Sequence, residues 1–491
     1  MAGGEYYRAA RRVAILIALA SPACAADNVT VPQVHMPDTY EGQSPTHAAA
    51  PAALDRWWLL FNDPRLNALE DEAMRNGPDA LTAAARIIEA KETRQAQTAQ
   101  TLPSGSIGGS ASRQKTYDLS GGNQNLTPTS GITDTLSANF NVSWELDLFG
   151  RLKVARRVAA SDAAQARFDI EGTRASLTAA VADSYFQAAG LAIQLADARE
   201  TVRIQNDLLD VARRKADAGA GPEDDVDRIA GGVSQAKAQA DDLAAQLRTV
   251  RRQILILVGR GLTPDAELTL ADAMPEMPAT PAALPADLLT RRPDIREAEF
   301  RLRSQIGTAK LRHLAVFPTI TLLPGLGVSR VISPGVSFIP PATIIPSEVS
   351  TNQGFWSLAA GLNVPTLDIP KLLYQARAED ARTREAAIAY EQTVQTAYGE
   401  AQNALTQLTA SEQATSELAD GEVRARRAYE GSKRRYDAGL DDLASTLNAE
   451  QGWRSVRSAL TAERVASLRH AVQTYKALGG GWIYTASASG S

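Results

Sequence analysis

The chain has 491 residues, 51 Lys plus Arg against 56 Asp plus Glu, a net charge of −5, and only 5% aromatic residues. So mild a charge gives no electrostatic case for a nucleic-acid partner, and a single cysteine, Cys24, excludes a disulfide framework or a cysteine-rich metal site within one chain. The histidines (His35, His47, His313 and His470) lie far apart without metal-ligand spacing, and no P-loop or nucleophile elbow occurs, so neither an enzyme nor a bound metal or cofactor is expected.

Residues 1–23 read as a signal peptide: Arg8, Arg11 and Arg12 precede the apolar run Val13 to Ala20, which at about eight residues is too short to cross a bilayer. Two processing outcomes fit Ser21-Pro22-Ala23-Cys24-Ala25. Cleavage after Ala25 satisfies a small-x-small rule, whereas cleavage before Cys24 would leave that cysteine as a lipidated first residue. Ser21, where a lipoprotein signal usually has leucine, speaks for the first outcome; the solitary cysteine speaks for the second, which is the expectation retained. No later segment holds 18 consecutive apolar residues, so no transmembrane helix is expected after processing.

Residues 24–62 form an extended N-terminal segment, and a helix opens at Asp63-Pro64, with Asp63 as N-cap and proline in the first turn. A Gly/Ser-rich strand over Ser104 to Arg113 follows, then a polar loop, then Leu136 to Trp144, where Leu136, Ala138, Phe140, Val142 and Trp144 alternate with Ser137, Asn139, Asn141 and Ser143. Successive strand residues point to opposite faces, so this segment has one apolar and one polar face. From Arg151 to Ala218 there is no proline, and the stretch predicts one helix about 100 Å long. Gly219 after Arg213-Arg214-Lys215 is the expected helix stop, and a return helix runs from Glu223 to Val258.

A Pro-rich linker, 263–291, leads to a second round of the same elements. A helix opens near Arg292-Pro293-Asp294, and a strand over Thr319 to Ser329 contains Pro324, which cannot donate to a ladder. After a loop over 330–353, Trp356 to Val364 alternates Trp356, Leu358, Ala360, Leu362 and Val364 with Ser357, Ala359, Gly361 and Asn363. The proline-free stretch Lys371 to Ala438 and a return helix over Asp441 to Ala477 complete the round, and 479–491 form a flexible tail. Arg213 to Gly219 recurs as Lys433 to Gly439, 220 residues downstream; Leu146-Asp147-Leu148 and Ala155-Arg156 recur as Leu367-Asp368-Ile369 and Ala376-Arg377, 221 downstream; Leu102-Pro103 corresponds to Phe317-Pro318 at 215. Ordered matches at nearly constant spacing predict an internal duplication, with repeats over 63–262 and 292–478.

Two hairpins supply four strands, too few to close a barrel, and lipid tolerates no open sheet edge. Strands of nine to eleven residues suit a tilted membrane crossing. Trp144 closes its strand and Trp356 opens its own, which would place them at opposite interfaces. The expected architecture is a mixed α and β membrane protein: a shared transmembrane β-barrel, four strands per protomer, continuous with a long coiled-coil α-helical periplasmic barrel. Eight strands from two chains would be filled by side chains; twelve from three leave a lumen for the small polar residues, so a homotrimer is expected. Leu136, Phe140, Val142, Trp144, Trp356, Leu358, Leu362 and Val364 would then face outer-membrane lipid.

Trp144-Glu145-Leu146-Asp147-Leu148-Phe149-Gly150-Arg151, Leu288-Leu289-Thr290-Arg291-Arg292-Pro293-Asp294-Ile295, Phe317-Pro318, Phe61-Asn62-Asp63-Pro64 and Arg435-Tyr436-Asp437-Ala438-Gly439 resemble hallmarks of the TolC-type outer-membrane factors, in particular the NodT-like lipoproteins of RND efflux systems. The resemblance covers about residues 30 to 480. It implies a trimeric exit channel that passively conducts small molecules and docks to a periplasmic adaptor and an inner-membrane RND transporter. It also implies that the turns carrying Gly219, Tyr436 and Gly439 form the periplasmic entrance and meet the adaptor. Acidic residues beyond these glycines often line the constriction in that family. Here Asp225 is the sixth residue after Gly219, the ninth after Gly439 is Asn448 rather than an acid, and Asp441 and Asp442 lie closer to the turn. The expectation is that Asp225, Asp441 and Asp442 hold the entrance shut or select cations. The second copy also lacks the glycine usual after its last strand, reading Leu367-Asp368-Ile369-Pro370-Lys371. An outer channel for type I protein secretion shares this architecture; a periplasmic coiled-coil structural lipoprotein would have no use for the alternating strands.

Overall fold

A computed structural model describes residues 30–41, 54–116, 131–219, 221–269, 274–278, 285–339 and 343–481. The predicted signal peptide, Cys24 and the tail beyond 481 lie outside the described residues. In chain order come a 3-10 stretch (Leu54–Phe61), α1 (Pro64–Asn76), α2 (Pro78–Ala99), β1 (Ser104–Thr116), β2 (Gly131–Leu146), α3 (Arg151–Asp217) and α4 (Glu223–Leu257). A one-turn helix (Leu288–Arg291), α5 (Pro293–Leu314), β3 (Thr319–Ile339), β4 (Thr343–Asn363), α6 (Ile369–Asp437) and α7 (Leu443–Ala477) follow. The long helices α3 and α6 have 67 and 69 residues, and α4 and α7 have 35 each. Among the described residues no helix is long and apolar enough to cross a membrane.

The described residues of 91–163 and 301–386 make one compact unit, and those of 32–90, 164–300 and 387–481 another, so each unit draws on both sequence halves.

The first unit holds a four-stranded antiparallel sheet in the order β1-β2-β3-β4. Directly paired residues share a face, and the register joins Ile107, Phe140, Leu326 and Trp356 into one apolar row across the sheet. The adjacent row, Gly108, Asn139, Gly327 and Phe355, lies on the opposite face. The ladder between β2 and β3 skips Val142 and Ser143 opposite Leu323 and Pro324, where the proline nitrogen has no hydrogen to donate.

The strands run further than their alternation predicts. The stretch 330–353, expected as a loop, is largely strand, and β3 and β4 reach 21 residues each. Pro334, Gly335 and Pro346 break any alternation among the valines and isoleucines of this stretch, but backbone pairing needs only donors and acceptors, so a hairpin can continue through residues that carry no periodic signal. Trp356 consequently lies well inside β4 rather than at its start. It pairs with Leu326, four residues along β3 from Leu322, the partner of Trp144, so the two tryptophans do not occupy opposite strand ends.

The Trp-Glu-Leu-Asp-Leu-Phe-Gly-Arg run is the corner between β2 and α3. Asp147 caps the helix, accepting from the amides of Leu152 (3.1 Å) and Lys153 (3.0 Å); Arg151 grips Glu145 with both ends of its guanidinium; and Phe149 stacks on Phe317, 4.9 Å away at the entry to β3. In the second copy Pro370 occupies the first turn of α6, where no amide hydrogen is needed. Between α5 and α6, Glu379 accepts from Gln305 (2.9 Å), and His313 bonds Asp380 (2.9 Å).

The second unit has an aromatic core. Trp57 is fully buried, stacked on Tyr475 of α7 (5.6 Å between ring centres) and edge-on to Phe61, which meets Phe186 of α3. Asp63 caps α1 through the amides of Arg65 (2.8 Å) and Leu66 (3.3 Å) and accepts from Tyr185 Oη (2.5 Å). Arg292 is a hub: it bonds Asp294 in the first turn of α5, Glu400 of α6 (2.6 Å) and the carbonyl of Ala477 at the end of α7 (3.2 Å). Gly479 to Gly481, assigned to the tail by sequence, are buried, and the amide of Gly481 reaches the carbonyl of Leu54 (3.0 Å).

Candidate functional site: the helical turns and the two faces of the sheet

In the second unit, α3 and α4 form one helical hairpin and α6 and α7 another. Beneath the first turn, Leu209 and Ala212 of α3 pack on Ile229 and Val233 of α4. On the second hairpin, Tyr429 stacks on Trp453 (5.3 Å), whose Nε1 donates to Glu422 (2.8 Å). Two paired contacts bind α7 to α3: Arg457 with Asp197 and Arg469 with Asp183, each through two hydrogen bonds.

Both turns depend on a left-handed glycine, Gly219 at φ +68° and Gly439 at φ +72°. A Cβ at either would meet no atom within 4 Å, so the requirement is conformational, worth roughly 1–2 kcal/mol against another residue. At the second turn the amide of Gly439 reaches the carbonyl of Tyr436 (3.0 Å) and that of Leu440 the carbonyl of Arg435 (2.8 Å). These are the two bonds that satisfy the end of a helix closed by a left-handed glycine.

The predicted acids have local partners. Asp225, in the first turn of α4, receives Arg228 from its own helix (2.6 Å). Asp442 is the N-cap of α7 and accepts the amide of Ser445 (2.7 Å). Asp441 accepts from Arg435 Nη2 (3.0 Å), Ser432 Oγ (3.2 Å), Ser445 Oγ (3.3 Å) and the amide of Asp442 (3.0 Å). Partial desolvation of Asp441 opposes its charge, but the Asp442 amide, Arg435 and the two hydroxyls outweigh it and hold the carboxyl below its usual range. Asn448 is exposed on the second turn of α7. Glu223, Asp224 and Asp227 are exposed beside Asp225, a denser acidic group than Asp225 alone, legible in the Glu-Asp-Asp-Val-Asp run.

Sequence reasoning missed the tie between the two turns. Lys215 Nζ donates to Tyr436 Oη (3.0 Å) and lies 4.5 Å from the centre of its ring. Lys215 and Arg435 occupy equivalent places in the repeated motif, yet Arg435 grips its own turn while Lys215 reaches the other. A spacing-based comparison treats them as the same residue, so only their surroundings separate them.

In the first unit the apolar sheet face is uncovered. Leu136, Phe140, Trp144, Leu358 and Leu362 are exposed, as is Val364 just past the end of β4; Trp356 is 81% exposed and Val142 partly buried. A half-buried sheet of a water-soluble domain would cover this face. The alternate positions from Leu136 to Leu146 span about 33 Å along the strand, or about 23 Å of height at the tilt typical of membrane strands. Arg113, paired with Asp134 (2.6 Å), and Arg330 bound the apolar stretch on its loop side. The other face presents Ser106, Gly108, Ser110, Ser137, Asn139, Asn141 and Ser357. Among the described residues no group of acidic, histidine or cysteine side chains is arranged to hold a metal ion.

The sequence profile of the outer membrane efflux protein family matches residues 69–260 and again 284–480. A toluene efflux pump outer membrane protein, TtgC of Pseudomonas putida, is 29% identical over 443 residues, 89% of this chain and 88% of that protein. The pyoverdine export outer membrane protein OpmQ of Pseudomonas aeruginosa is 27% identical over 433 residues, 87% of each. Among solved structures, the outer-membrane channel OprN matches with a TM-score of 0.76 at 26% identity, over 92% of this chain and 99% of that one. The Campylobacter jejuni CmeC outer membrane channel matches with a TM-score of 0.81 at 20% identity, over 92% and 94%, a likeness of fold.

Proposed function

Because the chain belongs to the outer membrane efflux protein family, we propose that it is the trimeric exit channel of a tripartite efflux system, passively passing small molecules out of the cell. The observation that carries the reading is the sheet: four strands with one exposed apolar face and one small, polar face, and two edges left unpaired. Three copies would pair those edges into one barrel, with the apolar rows in lipid and the serine and asparagine rows around water. The near-equal lengths of α3 and α6, and of α4 and α7, together with the doubled family match, support an origin by duplication. The same lengths support a coiled-coil helical barrel in the periplasm, whose turns at Gly219 and Gly439 meet a periplasmic adaptor that links them to an inner-membrane RND transporter.

The relatives' names cover toluene, antibiotics and pyoverdine, which favours small organic cargo over secreted protein. Cys24 is the proposed lipid anchor, and a mature N-terminal peptide beginning at Ala26 would refute it. The reading as a whole is tested by native mass spectrometry and planar-bilayer recording of the detergent-purified protein. A trimer with steady ohmic conductance is expected; a monomer without conductance would overturn it.

A further inference from the structure

On the polar sheet face, among the residues whose side chains are described, one large aromatic ring stands out. Phe355 pairs with Gly327, and a Cβ built on that glycine would lie 2.6 Å from Phe355 Cζ and 2.9 Å from Cε1. The ring therefore lies down across the glycine instead of standing off the sheet. Gly327 is buried beneath it while Phe355 remains 51% exposed. The neighbouring glycines are roofed the same way by small polar groups: Gly325 by Ser357 Oγ (3.0 Å) and Asn141 Oδ1 (3.1 Å), and Gly108 by Asn139 Oδ1 (3.0 Å). Around them the wall is mostly small and polar, with Leu323 and Val349 as exposed aliphatic members several residues away along the strands and Phe355 as the one flat, open aromatic face among the residues whose side chains are described.

We propose that Phe355 is a lumenal contact for passing cargo, a platform on which flat aromatic and cationic molecules rest briefly, and that Gly327 positions it. The inference rests on the reading that the polar face lines a water-filled pore. Its chemistry follows from the ring. The π-face attracts cations and stacks other rings, which neither the hydroxyls and amides beside it nor the aliphatic Leu323 and Val349 on the same face can do. Three-fold symmetry would place three such rings around the conduit, and each contact is weak, as rapid passage requires.

The test uses the purified full-length channel in planar bilayers with two probes: ethidium, a flat aromatic cation, and tetraethylammonium, a cation without a ring. Ethidium should block the wild-type current. Phe355→Ala and Phe355→Leu should each raise the ethidium concentration for half-block by about twofold to fivefold, the range of one ring–cation contact at an exposed site, and leave tetraethylammonium unaffected. Phe355→Tyr should retain wild-type block. Leucine keeps a cover over Gly327, which guards against a folding artefact in the alanine variant. Conduction without ethidium block, or block unchanged in both ringless variants, overturns this inference alone. Absence of conductance in the wild type overturns the pore reading with it.

Discussion

Arg292 gives the sharpest test of how the second unit is held together. Its side chain is only 10% exposed, yet the carboxylates it binds, Asp294 and Glu400, are 48% and 55% exposed. Water screens those two pairs, so each is worth no more than about 0.5 kcal/mol. The bond to the Ala477 carbonyl (3.2 Å) satisfies the buried end of α7, and losing its charged donor costs about 1.5 kcal/mol, the low end for a charged group; the Ala397 carbonyl at 3.4 Å adds little. Removing the packed aliphatic stem costs about another 1 kcal/mol. Arg292→Ala should therefore loosen the junction of α5, α6 and α7 by about 3 kcal/mol, which is roughly 150-fold in a local opening equilibrium. Hydrogen exchange reads this directly. The amides of Arg296, in the first turns of α5, and of Leu478, beyond α7, should exchange about 150-fold faster, while amides near Leu209 and Ile229 stay at wild-type rates. Arg292→Met, which keeps a stem, should fall between. Exchange at Arg296 and Leu478 within threefold of wild type in the alanine variant would refute the hub.

Three further outcomes follow from local geometry. Glu70 is fully buried on α1 with neither carboxylate oxygen hydrogen-bonded; burial, aided by Asp71, pushes its pKa well up. The folded chain then keeps a proton that the unfolded chain loses once pH exceeds the ordinary carboxylate range, so stability falls as pH rises from that range toward the raised value. Glu70→Gln should raise the melting temperature at pH 7 but not near pH 4, the benefit growing by at most about 1.4 kcal/mol per pH unit; an equal gain at both pH values would contradict this. For the tie between the turns, a double-mutant cycle of Lys215→Met and Tyr436→Leu, which removes both ring and hydroxyl, read by hydrogen exchange at Ala438 and Gly439, should give a coupling of about 0.5–1 kcal/mol, and a coupling indistinguishable from zero would dismiss it. Finally, Leu358→Arg should cut outer-membrane assembly, since arginine facing lipid costs about 2–4 kcal/mol near the midplane, whereas its neighbour Ser357→Arg should assemble and conduct less; identical behaviour of the two would refute the assignment of faces.

The acids beside the second turn illustrate how neighbours decide what a carboxylate does. Asp441 and Asp442 do sit at the second turn, but one is engaged by Arg435, Ser432 and Ser445 and the other caps α7. Each of these charges thus closes its own turn, whereas Glu223 and Asp224, beside the first turn, are exposed. Their order in the sequence contains no sign of that difference, because the discriminating partners, such as Ser432 nine residues before Asp441, become neighbours only when the hairpin closes.

What the sequence determined by itself is whatever depends on neighbours along the chain. Helix length followed from 67 residues without proline, the stops from Gly219 and Gly439, the cap from Asp63, and the two faces of β2 from strict alternation. The tertiary structure decided whatever depends on residues brought together from afar. It extended β3 and β4 through stretches whose alternation Pro334, Gly335 and Pro346 break, because a hydrogen-bonded ladder does not need side-chain periodicity. It moved Trp356 from the end of a strand to its interior, made Arg292 a junction of α5, α6 and α7, and laid Phe355 over Gly327 in a strand pairing that no local pattern specifies.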